Sequence, residues 1–441
     1  MTSKSIMNRI REIILKLHIW LEQHERFVLH ILFIFTFLYG VTFDEIHKIV
    51  LLMLLIPLVA IEIIRVGKLY FDYREFLIFI GLSTFYIFWG NLVVQGQGFA
   101  LLCLFFYIFS KYVVLSHYGN NTGIITYYIV FLSLAIFVLG ILEYIPFFKC
   151  YIEVGPSANY ALGERWPSLW QKIAFPRGEY DAYFVPISGL LVYGLWLLKK
   201  EWKKGVVILV TVFLGIGITV LAEGRIVLGT TFVAAMACLF FYYMYTGKNK
   251  VITLSIVIGL AAVCLILGRL LYSNNIMGIK DAYLSSFMSG SGGILHNERF
   301  SLKYQQMKLL FDFPFGKCNV PLYLSGVKFI HVHDLWLDIA RRGGLIPFTL
   351  VCIYSIVSTI DLIRVWKIDE LDIGTKMCLT GFFYAVNMHC WLEPTIVMRK
   401  SFWGLTYSLA GFYRGLILLH QGEKTTIKAE KHLNNGKRYK G

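Results

Sequence analysis

The chain has 441 residues, 57% hydrophobic and 16% charged, with a formal net charge of +15 at pH 7. Soluble globular domains are nearer about 45–50% apolar and about 25% charged, so this composition excludes an ordinary soluble domain and points to a bilayer as the solvent. Lys and Arg fall mostly in short loops and tails, which fits the positive-inside rule and removes the case for a nucleic-acid partner.

A helix needs roughly 20 apolar residues to cross the hydrocarbon core. The first 26 residues are too charged for that and read as a cytoplasmic amphipathic tail, with no small-residue cleavage site after the first apolar run. Twelve candidate spans follow, near 27–43, 47–66, 75–94, 98–116, 123–146, 183–198, 205–222, 226–245, 251–272, 344–363, 375–393 and 402–420. Residues 421–441 form a basic tail. The expected fold is therefore all-α, a polytopic membrane protein of about twelve transmembrane helices in two blocks, 27–272 and 344–420.

The basic residues orient this array. Arg65, Lys68 and Arg74 follow the second span, Lys199, Lys200, Lys203 and Lys204 the sixth, and Lys248 and Lys250 the eighth. With twelve spans these and both termini share one side, expected to be the cytoplasm. The two long connections, 147–182 and 273–343, then face outward. The second is too long for a simple link. It carries Tyr304, Met307, Leu310 and Phe311 at helical spacing, so a folded outer domain with short helices is expected.

Ionisable residues at or near a membrane are functional candidates. Arg225 sits between spans seven and eight, in Gly224-Arg225-Ile226-Val227-Leu228. Arg299 follows Glu298 in the long loop. His333 belongs to His331-Val332-His333-Asp334, which leads to Arg341-Arg342-Gly343-Gly344. Taken singly, each has a structural alternative. Arg225 suits a helix cap or a lipid headgroup contact, Arg299 a partner for a loop acid, and His333 a satisfied loop histidine. Arg341 and Arg342 read best as headgroup anchors, and Glu393-Pro394 as a helix stop. Taken together, two guanidinium groups and an imidazole on one side suit a diphosphate ester. Guanidinium forks grip phosphate oxygens bidentately, and an imidazole accepts a proton from an attacking hydroxyl. The eight Cys show no CxxC or Cys/His metal spacing, and no Asp-x-Asp pair marks a metal, so neither a metal nor a cofactor is expected.

The run from His333 to Gly344, with Leu345-Ile346-Pro347 after it, resembles the hallmark of the bacterial O-antigen ligase and polymerase superfamily: a His, a small polar residue, nine others and a Gly at the end of a large periplasmic loop. Asp334 stands where Asn, Ser or Gln is usual. Gly224–Leu228 is similar to the family's first Arg turn. Arg299, then Tyr304 where Trp is common, then Phe313-Pro314-Phe315-Gly316, is similar to the second Arg helix and its close. Phe175-Pro176-Arg177-Gly178 resembles the first outer loop.

The resemblance implies a GT-C-like enzyme of the bacterial inner membrane with its active site on the periplasmic side. It would transfer a glycan from undecaprenyl diphosphate with inversion and without metal. Arg225, Arg299 and Arg177 would hold the diphosphate and His333 would activate the acceptor hydroxyl, with His331, Asp334 and Tyr304 in support. A ligase would use a lipid A core sugar as acceptor; a polymerase would use a lipid-linked glycan. A transporter of lipid-linked sugar is the rival from another class, with Asn387 and His389 as polar groups inside a span, where such proteins place them. A scaffold without chemistry is the third reading.

Overall fold

The computed structural model describes residues 48–80, 93–117, 124–154, 165–167, 174–176, 182–221, 226–247, 259, 298–324, 327–329, 332, 334–392 and 405–421. The span expected at 27–43, all of 251–272 but residue 259, and most of 75–94 lie outside them. The described chain is mostly helical. Four helices among the described residues contain stretches long and apolar enough to cross a membrane: Ile125–Ile145, Trp202–Thr219, Ile226–Thr246 and Leu345–Trp366.

The helices are α1 (Lys48–Val66), α2 (73–80), α3 (Val93–His117), α4 (Ile124–Val154), α5 (Val185–Ser188), α6 (Leu191–Lys200), α7 (Trp202–Leu221), α8 (Ile226–Thr246), α9 (Glu298–Leu309), α10 (Leu335–Gly343), α11 (Leu345–Trp366), α12 (Ile373–Leu392) and α13 (405–421). Two antiparallel hairpins interrupt them: β1 (Arg165–Pro167) with β2 (Ala174–Pro176), and β3 (Leu322–Leu324) with β4 (Val327–Phe329). These strands lie in the two long connections, and the second, expected to carry short helices, carries a hairpin as well.

Three expected boundaries move. Helix α4 runs 31 residues, so the first part of the 147–182 loop continues the helix. At about 1.5 Å per residue it exceeds a hydrocarbon core of about 30 Å. The expected span 183–198 is broken into α5 and α6 by a turn at Gly189–Leu190. The cause is a backbone crossing: a Cβ on Gly189 would sit 2.6 Å from the Gly381 carbonyl oxygen of α12, and one on Gly381 only 1.9 Å from that of Gly189. Helix α12 approaches the chain so closely there that the turn is dictated by packing. At 205–222 the helix begins earlier, at Trp202, so only Glu201 separates α6 from α7.

Helix α11 shows how a membrane helix divides its faces. Ile346, Ile353, Ile356 and Ile360 are exposed along one stripe, while Val351, Tyr354, Ser358, Leu362 and Val365 are buried on the other. The buried stripe joins a core that includes α12 and α13. Trp366 is fully buried and donates its indole N–H to Thr380 Oγ1 at 2.7 Å. On α13, Gly411 and Gly415 let the helix approach the α3 backbone at Tyr107 and Lys111. Small residues spaced by four are the usual device for such contacts between membrane helices.

A buried ion network joins α11 to three other segments. Arg74 donates from Nε to Asp361 Oδ2 at 2.7 Å and from Nη2 to Asp361 Oδ1 at 2.8 Å. Its Nη1 reaches both oxygens of Asp72 at 3.1 Å. Arg414 of α13 also pairs with Asp72, and Lys111 of α3 with Glu75. Arg74 was counted above among the cytoplasmic loop charges; its charge is instead spent inside the fold. Burial alone would push the Asp72 carboxyl up, but Arg74 and Arg414 outweigh it and hold the group below the ordinary carboxylate range. Burial would likewise lower the Arg74 guanidinium, and Asp361 and Asp72 more than reverse that.

Because Asp72 is ionised and buried, Asp72→Ala should cost about 3–5 kcal/mol at pH 7, the usual loss when a buried pair is broken. Thermal unfolding in detergent solution reads this as a lowered midpoint. The folded-state pKa is depressed, so the wild-type advantage is full above the unfolded aspartate value of about 3.9 and is lost as pH falls through the lower folded value. The two midpoints should therefore converge in strong acid. A gap that stays constant down to acid pH would show that the carboxylate charge is not what Asp72 contributes.

Candidate functional site

The residues between α9 and α11 build a small unit at the head of α11. Helix α9 and the residue that follows it bury Leu302, Gln306 and Leu310, spaced by four. Leu302 joins Leu322, Val332 and Leu337 in a separate apolar cluster, with Leu309 and Phe348 packed against it. Of the four apolar residues noted at helical spacing, Leu310 is buried. Tyr304, Met307 and Phe311 are instead 63%, 47% and 74% exposed. The helical spacing holds, and the inward face is the equally regular stripe of Leu302, the neutral Gln306 and Leu310.

Helix α10 straddles two cores. Leu335 and Ile339 pack into the core of the membrane helices, while Leu337 belongs to the separate cluster. Its C-terminal turn interlocks with the Phe313–Gly316 run. Lys317 and Cys318 N–H donate to the carbonyls of Arg342 and Arg341 at 3.0 Å, and Leu345 N–H donates to Pro314 O at 2.8 Å. Gly316 and Gly344 both have positive φ, and a Cβ on either would meet the opposing backbone oxygen at 2.2 Å. Only glycine fits either position. This pairing accounts physically for two of the motif elements read above, the Pro-x-Gly close and the terminal Gly.

Asp334 is the N-cap of α10 and accepts from Trp336 N at 3.1 Å and Leu337 N at 3.3 Å. Its other oxygen lies 2.9 Å from Lys303 Nζ of α9. The same ammonium donates to the Trp391 carbonyl of α12 at 3.2 Å and sits 5.3 Å from the centre of the Trp391 ring. Asp338 accepts from Val332 N at 2.9 Å, which pins the run before the cap. The chain is thus held at Val332 and at Asp334, on either side of His333.

Arg341 is not a headgroup anchor. It is buried and donates to Gln306 Oε1 at 2.8 Å and to Val320 O. No carboxylate among the described residues pairs with it. A cation held only by neutral acceptors leaves this unit electropositive, which favours an anionic ligand nearby.

Arg177, Arg225, His331 and His333 lie outside the described residues, as does Glu393-Pro394. Arg299 lies in the first turn of α9, four residues before Lys303. The structure therefore brings the helix bearing Arg299 onto the cap beside His333, through Lys303. Tyr304 is exposed, and its ring is covered by Lys308 at 4.5 Å. Lys303 was missed in the sequence, although its spacing of one helical turn from Arg299 marks the pair as neighbours. Trp391 carried no such signal, since only tertiary packing brings it to Lys303.

Beneath α10, Leu335 and Trp336 roof a narrow cleft between α11, α12 and α13, lined also by Tyr354, Ser355, Asn387 and Tyr407. About 30 Å3 of it is open to water, enough for roughly one or two molecules and far too little for a sugar. Asn387 donates to Phe383 O of its own helix at 2.8 Å. His389 is buried. Among the described residues no cluster of three His, Cys, Asp or Glu could hold a metal. No family model, curated protein or solved structure matches the chain.

The cap and the ion pair at Asp334 are separable. Asp334→Asn keeps an N-cap acceptor but loses the charge that meets Lys303, whereas Asp334→Ala loses both. The Ala variant should be less stable than the Asn variant by about 1 kcal/mol, the usual worth of a cap. Thermal midpoints should fall in the order wild type, Asn, Ala; equal midpoints for the two variants would remove the capping role.

Proposed function

We propose that this chain is a membrane glycosyltransferase of O-antigen ligase type. It would move a glycan from undecaprenyl diphosphate to a hydroxyl of the lipid A core, at the periplasmic face of the bacterial inner membrane. The observation that carries the reading is the Lys303–Asp334 pair. It clamps the helix containing Arg299 to the cap that follows His333, at the membrane end of α11. The reading unites a phosphate-binding residue type and a proton acceptor where a lipid diphosphate meets the bilayer surface. Asn387, bonded to its own helix, favours an enzyme over a transporter.

In this mechanism Arg225, Arg299 and Arg177 grip the diphosphate and neutralise charge as it leaves. His333 accepts the proton of the acceptor hydroxyl. The acceptor oxygen bonds to the anomeric carbon from the face opposite the leaving group, and the bond to diphosphate breaks with its electron pair. Undecaprenyl diphosphate departs, and His333 returns its proton to solvent. A repeat-unit polymerase would use the same steps with a lipid-linked acceptor.

The chemistry is tested with purified protein, synthetic donor and each acceptor class in turn. His333→Ala should lose about 10²–10⁴-fold in transfer, the usual contribution of a general base, yet still bind donor. Arg299→Ala should lose transfer, and Arg299→Lys should recover little, because an ammonium lacks the planar fork. Wild-type transfer by His333→Ala would refute the base assignment. Transfer to lipid-linked glycan alone would make the enzyme a polymerase.

The proposed topology has twelve spans with 273–343 outside. Reporter fusions near residues 165 and 290 should report periplasm, and fusions at 200–204 and 246–250 cytoplasm. A cytoplasmic report at 290 would put Arg299 and His333 on the wrong side for this donor.

A further inference from the structure

The outward face of α9 and the turn after it is apolar where a soluble domain would be polar. Tyr304, Met307, Phe311 and Phe315 recur at intervals of three and four and are 63%, 47%, 74% and 68% exposed. Tyr323 extends the face, at 56% exposed, because its N–H and C=O both bond the Gln305 side chain at 3.1 and 2.8 Å. A contiguous exposed patch of this kind marks an interaction surface.

The structure also says what lies beside it. Phe315 follows Pro314, whose carbonyl accepts from Leu345 N–H, the first residue of membrane helix α11. The next residue of α11, Ile346, is itself 49% exposed and begins the outward Ile stripe. The aromatic face is therefore continuous with a surface built to meet lipid. Lys308 and Lys317 are exposed beside it, with the exposed acid Asp312 between them. Tyr together with Lys beside an apolar stripe is the composition of a helix lying in the headgroup layer.

We infer that α9 and the 310–315 turn lie in the interfacial layer of the bilayer leaflet at the Leu345 end of α11, with Tyr304, Met307, Phe311 and Phe315 in the lipid. The occupant is phospholipid, with acyl chains against the rings and headgroup phosphates near Lys308 and Lys317. This anchoring is independent of the transferase reading. It would set the depth of the Lys303–Asp334 unit relative to the membrane surface whatever that unit does.

The test uses the full chain in vesicles of phosphatidylethanolamine and phosphatidylglycerol. Benzoylphenylalanine replaces Phe311, Phe315 or, as a polar-face control, Asp312, and Ile353 serves as the control within α11. The Phe sites exchange one exposed aromatic for another, and unchanged thermal midpoints confirm folding. After illumination, mass measurement should show phospholipid adducts at 311 and 315 several-fold above 312, at yields near that of 353. Adducts at 353 with none above background at 311 and 315 would overturn the inference. So would equal yields at 311 and 312, or crosslinks from 311 to a second copy of the chain in place of lipid. Absence of adducts at 353 would remove the bilayer boundary on which the inference stands.

Discussion

The charge network around Arg74 is the constraint on which the membrane array depends. A guanidinium in a buried setting must be met by carboxylates, because a lone charge there costs several kcal/mol. Arg74 finds them on two segments, at Asp72 beside it and at Asp361 far along the chain in α11. Arg414 shares Asp72 and so draws in α13, and Lys111 with Glu75 draws in α3. Apolar membrane helices gain little from hydrophobic contact with one another, since lipid is equally apolar. Directional ionic contacts then choose which helices meet and at what height.

Helix α11 carries that choice across the molecule. Asp361 lies near one end and Leu345 begins the other, about 24 Å away at 1.5 Å per residue. At the Leu345 end the contacts change from ionic to steric, where Gly316 and Gly344 admit backbone against backbone. The unit built from α9 and α10 is thus seated on a helix whose far end is fixed. Within that unit, α10 has one face in the core of the membrane helices and the other in the small separate cluster, so it cannot shift without disturbing both.

The polar contacts above α10 serve position. Lys303 touches three elements at once: its own helix, the α10 cap at Asp334, and Trp391 at the end of α12. Asp334, where the resembled family has a neutral polar residue, is matched by that lysine. The aspartate supplies the acceptor that a helix cap requires and adds an ionic tie that a neutral side chain would lack. Arg341 then remains as a buried cation without a described acid, and the unit keeps a positive bias.

Much of the helical array follows from local rules that operate residue by residue. Apolar length gave α1, α3, α8 and α11 close to where they stand, and Gly344 after Arg341-Arg342 marked the end of the long loop within a residue. A glycine needed for positive φ is visible without knowing what it packs against. What the sequence could not decide was set by distant partners. The break between α5 and α6 exists because α12 crosses at Gly381, nearly two hundred residues later. The inward face of α9 was not decided locally, because an aromatic stripe and a Leu-Gln-Leu stripe have the same period, and only the surroundings say which one meets protein. Arg74 and Arg341 looked like surface charges because sequence reports charge and not depth; burial beside Asp361 in one case, and beside Gln306 and Val320 in the other, is a property of the tertiary structure alone.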